Sequence, residues 1–295
     1  MSPPRLATRI WARRQVLGWG VFAGALVYSI LVLTGNARYH GDDVTFLMGD
    51  AAAYYYTATP YDWTDDAEGV GEFRYAPAFL WVTAPLRLLP WELFAAVWFG
   101  LHIAVLLYLR VPWMLAFIPV MDDALWGNIY TFQALAVVLI VRHGTSSLWA
   151  TVLLTKVTPG VGLGWHLGRR EWRAFATALG VTVLIIGIGF AVNAEIWAEW
   201  LAALRAAPEN YPGIGDSTTL LILRMAIGGA IAVLAGKTGR TWLLPIGMLV
   251  AVPGFFIYSF ALLLASVVLY LDARAARSAQ PGVVATLAGQ TQGAS

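Results

Sequence analysis

Apolar residues are gathered along this chain into long runs that short polar stretches separate. A helix needs roughly 20 apolar residues to cross the hydrocarbon of a bilayer, so such runs predict membrane helices rather than the core of a soluble domain. We expect an all-α integral membrane protein, a polytopic helix bundle of about ten segments. The runs are 16–34, 76–89, 93–109, 111–121, 124–141, 146–166, 174–192, 217–235, 241–252 and 254–271.

Two of these runs, 111–121 and 241–252, are shorter than a crossing helix. Each can cross only where the bilayer thins, and otherwise it must be re-entrant. The first run, 16–34, follows a basic segment as the apolar part of a signal peptide does, but it is long enough to span and only a weak cleavage-type triplet follows it. We therefore expect 16–34 to be a retained first transmembrane helix.

Basic residues at the ends of the runs predict the orientation of the bundle. Arg5, Arg9, Arg13 and Arg14 precede the first run, and the positive-inside rule then places the N-terminus in the cytoplasm. Alternating segments place the loop 35–75 outside, and they place the C-terminus and three further basic clusters inside. These clusters are Arg169, Arg170 and Arg173, then Lys237 and Arg240, then Arg274 and Arg277. We expect a multi-pass protein of the cell membrane with both termini cytoplasmic.

The chain divides into a single transmembrane bundle over 1–272 and a polar tail over 273–295, which its composition predicts to be a disordered cytoplasmic tail. A second outer stretch, 193–216, has apolar residues at helical spacing and predicts an amphipathic helix on the membrane surface, ended by Pro208 and Pro212. Its apolar face carries Ile196, Trp197, Trp200, Leu201 and Leu204.

The composition narrows the classes of function. The chain is 59% hydrophobic and 12% charged, with a mean hydropathy of +0.67, which leaves no room for a large soluble domain. A formal net charge of +2 gives no indication of nucleic-acid binding. There is no cysteine, and the four histidines lack metal-ligand spacing. We therefore predict neither a metal site nor a cofactor.

The outer loop 35–75 concentrates the chemistry of the chain. It holds eight carboxylates and two arginines, a local net charge of −6, and several aromatic residues. Carboxylates at one mouth of a membrane bundle indicate acid–base or cation chemistry. The aromatic residues, Tyr61 and Tyr75 among them, fit either an interfacial belt or a stacking surface for a sugar.

Lys156 lies near the centre of the run 146–166. An ammonium there costs at least about 2.5–3.5 kcal/mol on insertion scales, so Lys156 must face a polar cavity or a partner. It can bind a phosphate as a point charge, or it can pair with a buried acid or with carbonyls freed by Pro159. Asn128 and Gln133 also need partners, in a cavity or between helices.

Other polar and small residues receive structural interpretations. Asp122 and Asp123 are expected at the membrane interface, and His102 and His166 are expected to be satisfied inside the bundle. Gly160, Gly164 and Gly168 repeat every four residues and predict a close helix contact.

Several motifs in order resemble glycosyltransferase family 87, a family of C-type membrane glycosyltransferases. The resemblance covers about 15–270. The matching elements are an aspartate after the first helix, Pro60-Tyr61-Asp62, Phe73-x-Tyr75-x-Pro77, the run 85–91 (PLRLLPW), Gly127-Asn128, and the stretch 153–173 that begins LLTKVTPG.

The resemblance implies inverting transfer of a hexose, usually mannose, from a polyprenyl phosphate donor to an extracytoplasmic lipid or glycan acceptor. The catalytic base of such a reaction is an early aspartate of the first outer loop; Asp43 matches best, Asp50 competes with it, and Asp42 is third. Their alternative role is to cap a loop helix or to keep the loop soluble. The substrate-binding candidates are Lys156, Arg74, Tyr61, Tyr75 and Asn128.

Two other functions are compatible with the sequence, a transporter or flippase of lipid-linked sugars or small solutes, and a scaffold without activity. A carrier is expected to place ionisable groups near the midplane, between two related halves. Here nearly all acids lie in loops or at the ends of runs, which favours the enzyme.

Overall fold

The computed structural model describes residues 3–39, 49–56, 75–210 and 218–278, and the regular elements in these ranges are all helices. Within these ranges, five short 3₁₀ helices connect or extend the α-helices, at Leu86–Leu88, Pro112–Ala116, Ser146–Leu148, Thr158–Leu163 and Ile257–Leu262. The α-helices are α1 (Pro3–Tyr39), α2 (Gly49–Tyr56), α3 (Ala78–Thr83), α4 (Trp91–Tyr108), α5 (Ile118–Trp126), α6 (Tyr130–His143), α7 (Trp149–Thr155), α8 (Gly164–Arg169), α9 (Trp172–Val192), α10 (Ala194–Asn210), α11 (Thr218–Thr238), α12 (Leu243–Val250) and α13 (Leu263–Ser278).

Five helices in the described ranges are long and apolar enough to cross a membrane, and α5 with α6 would make a sixth as a bent pair. The all-helical membrane architecture is thereby confirmed, but a count of about ten crossing segments is not. Several predicted runs are broken into short helices that turn back inside the bundle. These five candidate spans are Gln15–Thr34, Trp91–Tyr108, Trp172–Val192, Thr219–Thr238 and Ile257–Ser278.

The run 146–166 is not one helix but a hairpin whose turn contains Lys156. Its two arms lie side by side in close contact. A Cβ added at Gly160 would collide with Leu153, and one added at Gly162 would collide with the Trp149 ring, so glycine is what permits this approach. The chain turns where Lys156 adopts an extended conformation (φ −140°, ψ 113°), shortly before a proline that lacks a backbone N–H. Lys156 therefore lies at a helix end inside the bundle.

A second turn joins α5 to α6, whose axes differ by 115°. Gly127 makes this turn in the left-handed conformation (φ 68°), which favours glycine, and a Cβ there would lie 2.5 Å from the Ala51 Cβ. The Trp98 indole N–H donates to the Gly127 carbonyl over 2.8 Å and fixes the turn against α4.

A third turn follows α12, between Val250 and Phe256, before the chain continues into α13. Arg224 of α11 holds it. The guanidinium donates to the carbonyl oxygens of Val250 (3.1 Å), Pro253 (3.0 Å) and Val252, groups that a continuous helix would satisfy itself. We call the turns at Gly127, Lys156 and 250–256 the three apices.

The helices that lead into or out of the three apices have their other ends together at one end of the bundle, which we call the basic end. Arg142 at the end of α6 pairs with Asp272 of α13, and Trp242 beside α12 contacts Tyr270. The close helix contact predicted for Gly160, Gly164 and Gly168 is confirmed at two of these positions: Gly164 and Gly168 lie against the backbone of α11, whereas Gly160 packs against Leu153. These contacts gather the ends that carry Arg110, Arg142, Arg169, Lys237 and Arg277, in agreement with the predicted segregation of positive charge.

The amphipathic helix predicted over 193–216 is present as α10, which continues through Pro208 and ends at Asn210. Pro208 therefore does not end it, and Pro212 lies outside the described residues. Trp197 is buried, stacks on Phe190 and packs near Ala76, so this part of the apolar face rests on protein. Helix α13 runs into the predicted tail as far as Ser278, and 279–295 lie outside the described residues.

Candidate functional site

Helix α2 packs against the apex at Gly127 and brings a carboxylate to it. Asp50 lies in the first turn of α2, and the Asn128 side-chain N–H donates to its Oδ2. The other end of the same amide, Asn128 Oδ1, accepts from Lys156 Nζ at 3.0 Å and from the Ile129 N–H at 2.7 Å. An amide oxygen accepts while its nitrogen donates, so this orientation suits all three partners. We call Asp50, Asn128 and Lys156 the apex site.

The ammonium of Lys156 is surrounded by aromatic rings. Its Nζ lies 3.9 Å from the centre of the Tyr130 ring and 5.7 Å from the centres of both Tyr75 and Tyr258. The negative faces of these rings attract a cation, most strongly where water is excluded. These contacts and the Asn128 oxygen explain how an ammonium is kept inside an apolar bundle.

A layer of aromatic residues holds α2 in place. Tyr54 is fully buried, donates from its hydroxyl to the Tyr75 hydroxyl over 2.9 Å, and packs edge-on against Phe79 and Trp98. Burial, followed by the Asp50 carboxylate, raises the pKa of Tyr75 well above its ordinary value of 10.0, so the phenol stays protonated. Tyr54 is therefore core, whereas Tyr75 joins that core to the lysine.

Beneath Asn128 lies a buried pair, His102 and Asp123, both fully shielded from solvent. Asp123 accepts from the backbone N–H groups of Tyr130 (3.2 Å) and Thr131 (2.8 Å), and it thereby caps α6 from across the apex. His102 Nε2 lies 2.9 Å from the Asn128 carbonyl oxygen and 3.6 Å from Asp123 Oδ2. The expectation of an interfacial Asp123 is wrong, because the unpaired amides of α6 give its carboxylate partners inside the bundle.

The two histidines are satisfied, as predicted. His102 Nδ1 lies 3.0 Å from the Trp98 carbonyl oxygen. His166 accepts from the Trp149 indole N–H at Nε2 over 3.0 Å, and its Nδ1 lies 2.9 Å from the Glu171 carboxylate. Among the described residues no group of three His, Asp or Glu side chains is arranged to hold a metal ion.

An apolar groove of about 340 Å³ opens beside the apex site, between α3, α7 and α9. Its wall residue Thr155 precedes Lys156 and accepts from the Gln133 amide over 3.0 Å, while Phe79 packs on Tyr75 with ring centres 5.0 Å apart. One layer of side chains thus separates groove and ammonium. The groove is lined by Ala78, Phe79, Trp81, Val82, Ala150, Thr151, Leu154, Thr155 and Ile185.

Four of the predicted site residues converge in the structure, namely Asp50, Tyr75, Asn128 and Lys156. The other three, Asp43, Tyr61 and Arg74, lie outside the described residues, so their roles stay predictions.

The comparison with known families agrees with the resemblance in the sequence motifs. A model of glycosyltransferase family 87 matches residues 73–291. The match includes Asn128 and Lys156, whereas Asp43 and Asp50 precede it. Neither a curated protein nor a solved structure matches the chain. Because the matched stretch covers most of the sequence, the chain belongs to glycosyltransferase family 87.

Proposed function

We propose that this membrane glycosyltransferase moves a hexose, with mannose preferred, from a polyprenyl phosphate to a lipid or glycan acceptor at the outer face of the membrane. The family implies a glycosyltransferase with a lipid-linked sugar donor. The observation that carries the finer proposal is the Asn128 amide, which joins a carboxylate of the outer loop to a lysine inside the bundle. Transfer from a phosphate needs both charges.

Asp50 is the proposed base. As the acceptor hydroxyl oxygen forms its bond to the anomeric carbon, the Asp50 carboxylate takes the hydroxyl proton. The bond from the anomeric carbon to the phosphate oxygen breaks, and its electron pair leaves with the phosphate. Attack opposite the leaving group inverts the anomeric centre. Asp43 remains the rival candidate from its position in the motif.

Lys156 is the proposed partner of the leaving phosphate. A lysine ammonium binds phosphate as a compact point charge, and its effect is largest where water is excluded. Tyr75, Tyr130 and Tyr258 surround it. The phosphate gains charge as the sugar departs, so this cation stabilises the transition state more than the bound donor.

The groove beside Thr155 offers a path for the lipid chain of the donor. Its walls are almost entirely apolar, and Trp81 and Val82 at its edge are exposed on the surface of the bundle. A chain in the groove would run from the bilayer to within one residue of Lys156 and leave the sugar facing α2.

The experiment is transfer by the purified protein. Polyprenyl phosphates that carry mannose, glucose or galactose are offered with lipid and glycan acceptors, and the anomeric configuration of the product is determined. We expect mannose to be preferred and the configuration to be inverted. Retention would exclude direct displacement, and movement of the donor across vesicles with no glycosidic product would favour the flippase.

A further inference from the structure

We propose that a cavity at the basic end, beside Arg110, binds the phosphate headgroup of an anionic phospholipid. The cavity has a volume of about 730 Å³ and lies between the ends of α4, α6 and α13. It belongs to a different end of the bundle from the apex site, and it plays no part in the proposed reaction. Its lining residues are Tyr108, Leu109, Arg110, Val111, Arg142, Val268, Leu271, Asp272 and Ala275.

The charged side chains that line the cavity, Arg110, Arg142 and Asp272, give it a net charge of +1. Arg142 donates to both carboxylate oxygens of Asp272, over 2.8 and 2.9 Å, so these two charges compensate each other. Arg110 is exposed, and its guanidinium makes no hydrogen bond or ion pair with any residue in the described part of the chain. The cavity therefore offers a guanidinium with its donors available to an anion.

The backbone of Arg110 gives a second, independent indication. Its φ of 62° is left-handed, and hydrogen bonds from Arg110 N–H to Leu107 O and from Val111 N–H to Leu106 O close the end of α4 in a Schellman arrangement. Glycine is the usual residue at this position, since a Cβ makes the conformation unfavourable.

The chain uses glycine at three other positions of this conformation, Gly127, Gly144 and Gly239, with φ between 67° and 69°. Only Arg110 and Arg170 among the described residues adopt positive φ with a side chain. Strained residues persist where the surroundings or the function require them, and at Arg110 the neighbouring cavity supplies a reason.

The shape of the cavity indicates a phospholipid rather than a small anion. Arginine offers a planar fork of donors that fits phosphate oxygens in pairs. Around it, Leu107, Tyr108 and Leu271 expose apolar surface, 44%, 59% and 40% respectively, on which acyl chains can lie. Because the net local charge is positive, a headgroup whose phosphate charge is not cancelled fits best.

The test compares the full-length protein with Arg110→Gly and Arg170→Gly in a non-ionic detergent. Both variants replace a left-handed arginine by glycine, but only Arg110 lines the cavity. Thermal unfolding is followed while phosphatidylglycerol, phosphatidylcholine or inorganic phosphate is added. A ligand that binds the folded state raises Tm with its concentration.

Without lipid, we expect the relief of backbone strain to raise Tm in both variants by about 2–4 °C. With phosphatidylglycerol, the wild type and Arg110→Lys should gain stability, Arg170→Gly should gain as much as the wild type, and Arg110→Gly should gain little. Phosphatidylcholine and inorganic phosphate should have little effect on any of them.

Other outcomes overturn the proposal. An equal response of wild type and Arg110→Gly to phosphatidylglycerol would exclude the site, and an equal loss in both glycine variants would show diffuse attraction instead. Inorganic phosphate that reproduces the whole effect would identify a free-anion site. A Tm in Arg110→Gly that does not rise would refute the argument from strain. Sugar transfer is not measured, so the result is independent of the proposed function.

Discussion

Opposite charges meet in two regions of this bundle, at the basic end and at the apex site, and the two pairs are arranged differently. At the basic end Arg142 pairs directly with Asp272, and their side chains are 31% and 44% exposed. At the apex site Asp50 and Lys156 are both bonded to one amide, that of Asn128, among aromatic rings. Exposed ion pairs contribute roughly 0–1 kcal/mol, whereas ionisable groups inside a membrane bundle are costly and mark functional sites. We propose that the first region contributes to holding the bundle together and that the second carries out the chemistry.

The strongest test of this comparison is removal of one cation from each region. Lys156→Met should lower the rate of sugar transfer by about 10²–10³-fold, the loss typical of a group that stabilises charge in a transition state. Lys237→Met, at the exposed end of α11, should leave the rate within about twofold. Initial rates at saturating donor measure both, and equal losses would mean that the lysines act only through folding or orientation.

The amide of the apex site should come next in effect. Asn128→Ala removes hydrogen bonds to a carboxylate and to an ammonium, each worth about 1.5–3 kcal/mol. We expect transfer to fall by roughly 10–100-fold, since either bond alone accounts for that factor. Gln133→Ala in the following helix α6 is the control, because the Gln133 amide donates a hydrogen bond to Thr155 and not to the charged pair. If both substitutions lower the rate alike, Asn128 has no special role.

Alanine substitutions at two glycines with nearly the same backbone conformation compare how tightly the apex and the basic end are packed. Gly127 (φ 68°) would place a Cβ 2.5 Å from that of Ala51, whereas Gly144 (φ 69°) has open space around it. Gly144→Ala should lose about 1 kcal/mol of stability from backbone strain alone. Gly127→Ala should lose about 1–3 kcal/mol more, because a well-packed contact must shift. Thermal unfolding of the two variants measures the difference, and similar Tm values would contradict a tightly packed apex.

The smallest effect concerns pH at the basic end. Burial alone would raise the pKa of Glu171, but its hydrogen bonds to Arg169 and His166 prevail and lower the pKa below the ordinary value of 4.5. A lowered folded-state pKa stabilises the protein above pH 4.5, and this contribution disappears as the pH falls through the folded-state value. The Glu171 side chain is 35% exposed, so the contribution should not exceed about 1 kcal/mol.

Unfolding at pH 7 and at pH 3.5 measures this contribution. The wild type should lose more stability between the two pH values than Glu171→Gln does. An identical loss in the two proteins would show that the ion pairs of Glu171 are too well solvated to contribute.

Much of the apex site could be predicted because its residues are polar or charged within apolar or aromatic segments of the sequence. Lys156 and Asn128 interrupt apolar runs, and Asp50 opens an aromatic segment of the acidic loop. Their convergence could not be predicted, because the runs 124–141 and 146–166 have the length of crossing helices. Length and hydropathy do not reveal that Gly127 and Lys156 are turns, since this depends on which neighbours their helices pack against.

Three further contacts could not be predicted, because each joins residues that are not neighbours in the sequence and meet only through the fold. Asp123 caps a helix that begins seven residues later, across a turn, whereas capping signals in sequence concern immediate neighbours. Arg224 satisfies carbonyls of a segment more than twenty residues away. Tyr258 reaches Lys156 only because the third apex returns it to the centre of the bundle.

The central claim is that the Asp50 carboxylate accepts the proton of the attacking hydroxyl. It is tested most directly by the single-turnover rate of Asp50→Asn beside Asp43→Asn, with donor prebound and its affinity measured separately. We predict that Asp50→Asn binds the donor normally but transfers sugar about 10²–10⁴-fold more slowly, while Asp43→Asn stays near the wild-type rate. A wild-type rate in Asp50→Asn with a large loss in Asp43→Asn would move the base to the other aspartate. Unchanged rates in both would remove the mechanism.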